Sequence, residues 1–181
     1  MNKNIPNSTK VVVVGGGVIG CSVAYHLTKY GWKDVVLLER DQLTSGTTWH
    51  AAGLVSQLGP TAAVTKIRKY TLDLYKKLEK EVDYSAGLRI NGALSVAQTN
   101  ARWQELQRQA TTAQLYDVDI KILDKNQIKK NYPIMYTDDL KGGVLMPGDG
   151  AADPSGVTHM LAKGARLGGA KIYEQSPVET I

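Results

Sequence analysis

The sequence predicts an α/β protein that begins with a strand, a helix and a second strand of one parallel sheet. The β-branched run Val11–Val14 ends at a glycine, and a second apolar run covers residues 35–39. Continuous apolar runs of this length are typical of strands that are buried on both faces, as in parallel sheets. Between them, residues 17–30 repeat apolar side chains at helical spacing, and Gly31 follows as a helix-ending residue. A strand, helix and parallel strand joined in this way form a right-handed crossover.

The rest of the chain alternates helical and strand-like patterns. Residues 43–53 have neither periodicity and are rich in small side chains, which predicts a functional loop that can close into a helical turn. Apolar side chains at helical spacing predict helices over residues 62–82 and 101–115. Strand-like patterns cover residues 88–96, 120–123, 143–146 and 171–174, and a further strand begins at 177–180.

Two more helices have clear start signals. Asp124 and Gln127 have the spacing of a capping box, which predicts a short helix after Asp124. Asp153 followed by Pro154 predicts another helix, because an aspartate caps the free N–H groups and proline suits the first helical position. That helix is expected to run to the glycine pair at 168–169.

The composition is that of a folded globular protein, and it excludes several classes. Among 181 residues, 43% are apolar, and 22 Lys and Arg stand against 17 Asp and Glu. The net charge of +5 is too small and too dispersed to predict a nucleic-acid-binding protein. A single cysteine, Cys21, excludes an internal disulfide and a Cys-ligated zinc site. The basic residues at 66–80 interleave with apolar ones at helical spacing, which favours a solvated helix face over a binding patch.

The sequence contains no secretory signal and no membrane-spanning segment. This predicts a cytoplasmic protein, or a mitochondrial matrix protein if a transit peptide has been removed. The chain stops at Ile181, directly after the start of a predicted strand. We therefore expect this sequence to be a fragment of a longer protein.

A phosphate-binding motif lies at the junction of the first strand and helix. Gly15, Gly17 and Gly20 form G-x-G-x-x-G, and Glu39 ends the second strand. The first glycine makes a tight turn, the second lets the backbone approach a pyrophosphate, and the third lets helix and strand pack closely. The pyrophosphate would lie at the helix N-terminus, and Glu39 would accept hydrogen bonds from a ribose diol. This arrangement predicts a Rossmann-like fold that binds FAD or NAD, and the carboxylate disfavours NADP.

Several segments together resemble one family. The stretch VVVVGGGVIGCSVAYHLTKYGWKDVVLLER at 11–40 is similar to the extended dinucleotide fingerprint of FAD enzymes. LTSGTTWHAAGLVSQL at 43–58, NGAL at 91–94 and PGDGAADP at 147–154 resemble the dimethylglycine and sarcosine dehydrogenases of the D-amino-acid-oxidase-like flavoprotein superfamily. The similarity extends over nearly all of the chain.

The resemblance implies an FAD-binding domain formed by residues 1–83 and 150–181, interleaved with part of an α+β substrate domain at 84–149. It implies an FAD-dependent amine dehydrogenase of one-carbon metabolism that oxidises the N-methyl group of sarcosine or dimethylglycine. Electrons would pass to an electron-transfer flavoprotein, and tetrahydrofolate would bind in a C-terminal domain outside this sequence. The catalytic side chains are expected beyond Ile181.

The same resemblance assigns the cofactor contacts. The histidine of TWHAAG, which is His50 here, would carry FAD through a covalent 8α-histidyl bond. Hydroxyl and backbone groups of the preceding loop would line the pyrophosphate and the ribityl chain, and the backbone of Val178 would meet the adenine. The predicted cofactor-binding residues are Gly15, Gly17, Val18, Ile19, Gly20, Glu39, Arg40, Ser45, Gly46, Thr47, Thr48, His50, Ala51, Ala52, Gly53 and Val178.

Three alternatives are open at this point. His50 could be a loop histidine whose ring is satisfied by backbone hydrogen bonds alone. The chain could belong to a noncatalytic, regulatory flavoprotein-like subunit, although the Trp49-His50 pair favours an enzyme. It could also belong to an oxidase that uses oxygen, or to an FAD enzyme for another amine or amino acid. Structural roles, not metal binding, are predicted for the remaining candidate ligands, which are His26, His159, Asp149 and Asp153.

Overall fold

The computed structural model describes residues 5–181 of the chain. Its helices are α1 (Val18–Lys29), α2 (Ala62–Glu81), α3 (Asn100–Gln114), α4 (Lys125–Asn131) and α5 (Pro154–Leu167), and a 3-10 turn covers Thr48–His50. Its strands are β1 (Val11–Val14), β2 (Val35–Leu38), β3 (Leu54–Val55), β4 (Ala93–Ala97), β5 (Lys121–Leu123), β6 (Gly142–Met146), β7 (Gly150–Ala151) and β8 (Lys171–Tyr173). Every predicted helix is present. None of the helices in the described residues is both long and apolar enough to cross a lipid bilayer.

The chain divides into two compact units. The first unit holds the described residues up to Gly53, Leu74–Leu88 and Ala152–Ile181, and the second holds Leu54–Asp73 and Arg89–Ala151. The sequence-based division places residues 84–149 in the second part, whereas in the structure residues 54–73 and 150–151 also group there and residues 84–88 group with the first unit. Residues 54–73 join the second unit because β3 pairs with β7 in an antiparallel ladder there.

The first unit is built on a parallel three-stranded sheet in the order β1-β2-β8. Residues 35–37 of the central strand β2 are buried. The helices α1 and α5 pack against each other. Gly164 of α5 leaves room for the ring of Tyr25, which a Cβ at position 164 would approach to 2.8 Å. The predicted α/β class with a parallel sheet is confirmed.

The first strand differs from its prediction in burial. β1 is predicted to be buried on both faces, but Val12 and Val14 are 51% and 55% exposed. Side chains alternate between the two faces of a strand. β1 is an edge strand of this sheet, and the face that carries Val12 and Val14 is uncovered within the described residues.

The strand predicted at 177–180 is absent, since the structure assigns no strand there. Gln175 has a φ of +50°, which breaks the extended conformation directly after β8. The N–H groups of Gln175 and Ser176 then donate to the carbonyl oxygens of Asp41 and Glu39, each at 2.7 Å. The chain after β8 therefore folds back along the segment that follows β2.

The second unit contains the antiparallel sheet β4-β6-β5, with α3 packed against it. One part of its core consists of Ala97, Leu106, Ala110 and Val144. The strand predicted at 88–96 forms only from Ala93, because Gly92 has a φ of +82° and interrupts the extended chain. The capping box is confirmed: Asp124 accepts from the N–H of Gln127 at 2.8 Å, and the Gln127 side chain accepts from the N–H of Asp124 at 2.9 Å.

Candidate functional site

The glycine motif forms a sharp turn between β1 and α1. Gly15 has a φ of +105°, which residues with side chains rarely adopt, and its N–H donates to the carbonyl of Leu38 at 2.8 Å. Gly17 is the N-cap residue of α1. A Cβ on Gly20 would overlap the carbonyl oxygen of Gly15. The first and third glycines therefore let the first turn of α1 pack directly on the loop that precedes it.

The N-terminus of α1 presents free hydrogen-bond donors. Within residues 5–181, the N–H groups of Gly17, Ile19 and Gly20 have no acceptor. No acidic side chain lies in the first turn of the helix. Unpaired N–H groups and the helix dipole favour the binding of a phosphate at such an end. The residues at this helix end therefore fit the pyrophosphate of a dinucleotide.

Glu39 lies beside this turn with its side chain 8% exposed. One carboxylate oxygen accepts from the N–H of Gly16 at 2.5 Å, and the other accepts from the N–H of Asp41 at 2.9 Å. An ionised carboxylate has about four lone-pair positions, so further acceptor capacity is left for a ribose diol. The bond to Gly16 is not evident from the sequence, because the motif leaves that position unspecified.

The loop that follows β2 is tied to the glycine turn by residues that the sequence-based prediction omits. The N–H of Thr44 donates to the carbonyl of Gly16 at 3.1 Å, and Thr44 has a positive φ of 73°. Leu43 is buried, and its N–H donates to the Glu174 side chain at 2.7 Å. The sequence carries no signal for either role. Threonine rarely adopts a positive φ, and Glu174 lies 131 residues from Leu43 along the chain.

The 3-10 turn carries the predicted flavin-bearing histidine. Its first residue, Thr48, is buried, and the Thr48 hydroxyl oxygen accepts from the N–H of Val18 at 3.0 Å. His50 is exposed, and its ring centroid lies 3.8 Å from that of Trp49, which is 57% exposed. No hydrogen bond joins the imidazole of His50 to any part of the chain that the structure describes.

All of the predicted cofactor-binding residues lie in the first unit. Gly53 has a φ of +71°, and a Cβ there would overlap the carbonyl oxygen of Ala152. Val178 is half-buried in the coil after β8, close in sequence to Ser176, whose N–H binds the Glu39 carbonyl. The remaining residues of the predicted set are exposed loop positions: Arg40, Ser45, Gly46, Thr47, Ala51 and Ala52.

A comparison with protein families decides the wider relationship. A family model described as FAD dependent oxidoreductase matches residues 10–181. That range includes the glycine turn, the Glu39 carboxylate and the 3-10 turn. The chain belongs to the FAD dependent oxidoreductase family. The resemblance stated from the sequence is therefore confirmed at the level of the family.

Individual members of this family are similar along the whole chain. Human sarcosine dehydrogenase, a mitochondrial protein, is 39% identical over 181 residues, which cover 99% of this chain and 20% of that protein. Human dimethylglycine dehydrogenase, also mitochondrial, is 38% identical over 172 residues, which cover 95% of this chain and 20% of that protein. The chain therefore spans about a fifth of the length of these curated relatives.

Solved structures of the family share the fold. The crystal structure of L-proline dehydrogenase from P. horikoshii superposes with a TM-score of 0.87 at 26% sequence identity. The superposition covers 94% of this chain and 45% of that one. The Rossmann-like fold predicted from the glycine motif is thus confirmed.

The other candidate ligands of this FAD-family chain have structural roles. Cys21 is fully buried, and burial raises the pKa of its thiol to about 12, so the thiol stays protonated near neutral pH. Asp153 caps α5 by accepting from the N–H of Gly156 at 2.8 Å. The Nδ1 atom of His26 lies 2.7 Å from the carbonyl oxygen of Ser22 in its own helix. Within the described part of the chain, no three His, Cys, Asp or Glu side chains are grouped to hold a metal ion.

Asp149, in the second unit, is a buried carboxylate with one unsatisfied oxygen. The side chain is 1% exposed, and its Oδ1 accepts from the N–H of Gln57 at 2.9 Å. Its Oδ2 has no hydrogen-bond partner among residues 5–181. Burial raises the pKa of this carboxyl above its ordinary value. Asp149 thus holds the segment after β3 at the cost of burying a charge.

The free energy of unfolding of Asp149→Asn relative to the wild type is expected to be about 1 kcal/mol higher near pH 7 than at acidic pH, because asparagine keeps an acceptor for the Gln57 N–H and carries no charge, while its NH2 group replaces the unpartnered Oδ2 at every pH. The raised folded-state pKa means that the folded protein binds the Asp149 proton more tightly than the unfolded chain. The stability of the wild type therefore falls as pH rises through the raised pKa. The advantage of asparagine should shrink as the pH is lowered below the ordinary aspartate pKa. Urea unfolding across this pH range measures it.

The matched control for this prediction is Asp119→Asn, which changes an exposed aspartate of the same unit. Its effect on the free energy of unfolding should stay within about 0.5 kcal/mol. An advantage of Asp149→Asn that grew on acidification would contradict the prediction.

Proposed function

We propose that this chain is part of an FAD-dependent amine dehydrogenase that oxidises the N-methyl group of sarcosine or dimethylglycine. The observation that carries the proposal is the common location of three features at the N-terminus of α1. The free N–H groups belong to the helix end itself. The buried Glu39 carboxylate accepts from the N–H of Gly16 in the glycine turn, and Thr48, which begins the 3-10 turn with His50, accepts from the N–H of Val18. The names of the two human relatives support the substrate class.

The roles of the individual residues follow from their donors and acceptors. The free N–H groups of Gly17, Ile19 and Gly20 would bind the pyrophosphate, and Glu39 would accept hydrogen bonds from the ribose diol. The exposed loop from Arg40 to Thr47 would supply further hydroxyl and backbone groups. His50 would form the covalent bond to the flavin, and Ala51, Ala52 and Gly53 would permit a close approach. Val178 would meet the adenine through its backbone.

FAD, when bound, supplies a hydride acceptor for the oxidation of a carbon next to nitrogen. The described residues bind and orient that cofactor. Their backbone donors and one buried carboxylate are fixed by the fold before binding, so little reorganisation is needed. The catalytic side chains that would contact the substrate are proposed to lie outside this sequence.

We assign the two units different parts in the full-length protein. The first unit would bind FAD, and the second would form part of the substrate domain. An electron-transfer flavoprotein would accept the electrons, and tetrahydrofolate would bind in a further domain. The protein would act in the cytoplasm, or in the mitochondrial matrix if a transit peptide is removed, and the mitochondrial relatives favour the matrix.

The test of the function is anaerobic mixing of the purified full-length protein with sarcosine, dimethylglycine, glycine or proline. We expect either N-methylated substrate to bleach the oxidised-flavin absorbance and to release formaldehyde, which a trapping reagent measures. Glycine and proline are the matched controls, because neither has an N-methyl group. Bleaching by glycine or proline, with none by the N-methylated pair, would refute the substrate class. Rapid reoxidation by oxygen alone would identify an oxidase instead of a dehydrogenase.

A further inference from the structure

Thr48 caps a helix to which it does not belong. The first N–H groups of an α-helix lack internal acceptors, and a side-chain oxygen near the N-terminus usually satisfies one of them. In α1 the N-cap residue is Gly17, which has no side chain for this purpose. The hydroxyl oxygen of Thr48 accepts from the Val18 N–H at 3.0 Å, although Thr48 lies 30 residues further along the chain.

The glycine at position 17 makes room for this contact. A Cβ on Gly17 would stand 3.0 Å from the Thr48 hydroxyl oxygen, which is closer than most Cβ contacts. The Thr48 side chain is only 8% exposed, so its hydroxyl is enclosed at this position. Gly17 therefore lets the Thr48 hydroxyl reach the helix end, in addition to its predicted role towards a pyrophosphate.

The turn that begins at Thr48 is held by its own backbone. The N–H of His50 donates to the carbonyl of Thr47 at 3.2 Å, and the N–H of Ala51 donates to the carbonyl of Thr48 at 3.1 Å. The rings of Trp49 and His50 pack together. One end of this short turn is thus fixed to α1 by a side-chain hydrogen bond, and the other end presents His50 to solvent.

We propose that Thr48 is a positioning residue, which holds His50 where its imidazole can form the covalent bond to the flavin. This rests on the proposed function. In the covalent step, an imidazole nitrogen would bond to the 8α carbon through its lone pair, and the methyl C–H and the imidazole N–H would each release a proton. The electron pair of the broken C–H bond would reduce the ring system, which would take up the two protons, and dioxygen would then accept both electrons and both protons to leave as hydrogen peroxide. Thr48 takes no part in this bond making and acts through the geometry of the turn.

The experiment measures how fast FAD becomes covalently attached. Full-length apoprotein is mixed with FAD in air, samples are precipitated with acid, and flavin fluorescence is read from the protein band of a gel. Thr48→Val keeps the shape of the side chain and removes the acceptor, so attachment should slow by about tenfold or more, since small misplacements of reacting groups cost that much. Thr48→Ser keeps the hydroxyl and should restore most of the wild-type rate.

Noncovalent affinity separates positioning from binding. In a His50→Ala background, the dissociation constant for FAD is measured with and without Thr48→Val, and attachment is then followed at FAD concentrations that saturate both proteins, where a change in affinity does not slow the reaction. The matched control is Thr28→Val, which removes a hydroxyl that is also 8% exposed, at the other end of α1. This control should attach flavin at the wild-type rate. If Thr48→Val is insoluble, Thr48→Ala makes the same comparison with Thr48→Ser.

The outcomes distinguish this inference from the function on which it rests. A wild-type protein that releases all of its flavin would refute the covalent bond, and the positioning role with it. A wild-type protein that attaches flavin, with Thr48→Val attaching it equally fast, would refute only the positioning role. Equal slowing by Thr28→Val and Thr48→Val would also refute it, because a general loss of stability would then explain both.

Discussion

Gly20→Ala is expected to destabilise the protein by about 3 kcal/mol and to abolish FAD binding. The new methyl group would overlap the carbonyl oxygen of Gly15, and backbone atoms cannot move aside as a flexible side chain can. Removing this overlap requires α1 to shift away from the turn, and the shift displaces the free N–H groups at the N-terminus of the helix. Thermal unfolding and titration with FAD measure the two effects on the full-length protein.

Gly46→Ala is the matched control for stability. Gly46 lies on the surface, and a Cβ there would meet no atom within 4 Å. The free energy of unfolding should therefore change by no more than about 0.5 kcal/mol. If Gly20→Ala unfolded at the same temperature as the wild type, the close packing of α1 on the glycine turn would not be essential.

His50→Ala is expected to remove all covalently bound flavin from the full-length protein while the fold and some noncovalent FAD binding remain. His50 is exposed at the end of the 3-10 turn, so its loss leaves no cavity and no unsatisfied partner among the described residues. Turnover should also fall, since substitution at the 8α carbon withdraws electron density and raises the flavin potential. Acid denaturation, a gel viewed under ultraviolet light and peptide mass mapping give the result.

His159→Ala serves as the control for this experiment, because His159 is another histidine of the first unit and has no assigned cofactor contact. Its band should keep the flavin fluorescence of the wild type. If wild-type flavin is found wholly in the supernatant after denaturation, His50 is an ordinary loop histidine and the covalent bond is refuted.

Much of the first unit follows from its local sequence. The valine run, the three glycines and the apolar helical spacing specify β1, the turn and α1, because each depends on neighbours a few residues away. Glu39 could be assigned to the site for the same reason, since it ends the second strand of the unit. The burial of β1 could not be predicted in this way, because the valine run carries no signal of whether another element covers each face of the strand.

The sequence by itself determined the parallel α/β class, the dinucleotide motif and the family resemblance. Each of these depends on glycine stereochemistry, side-chain periodicity or motif spacing within a short segment. The tertiary structure alone decided which distant groups meet. Thr48 reaches Val18 across 30 residues, and Gln57 reaches Asp149 across 92 residues. The physical reason is that a buried donor must find an acceptor wherever the folded backbone brings one, and the partner's position along the chain carries no signal of that meeting.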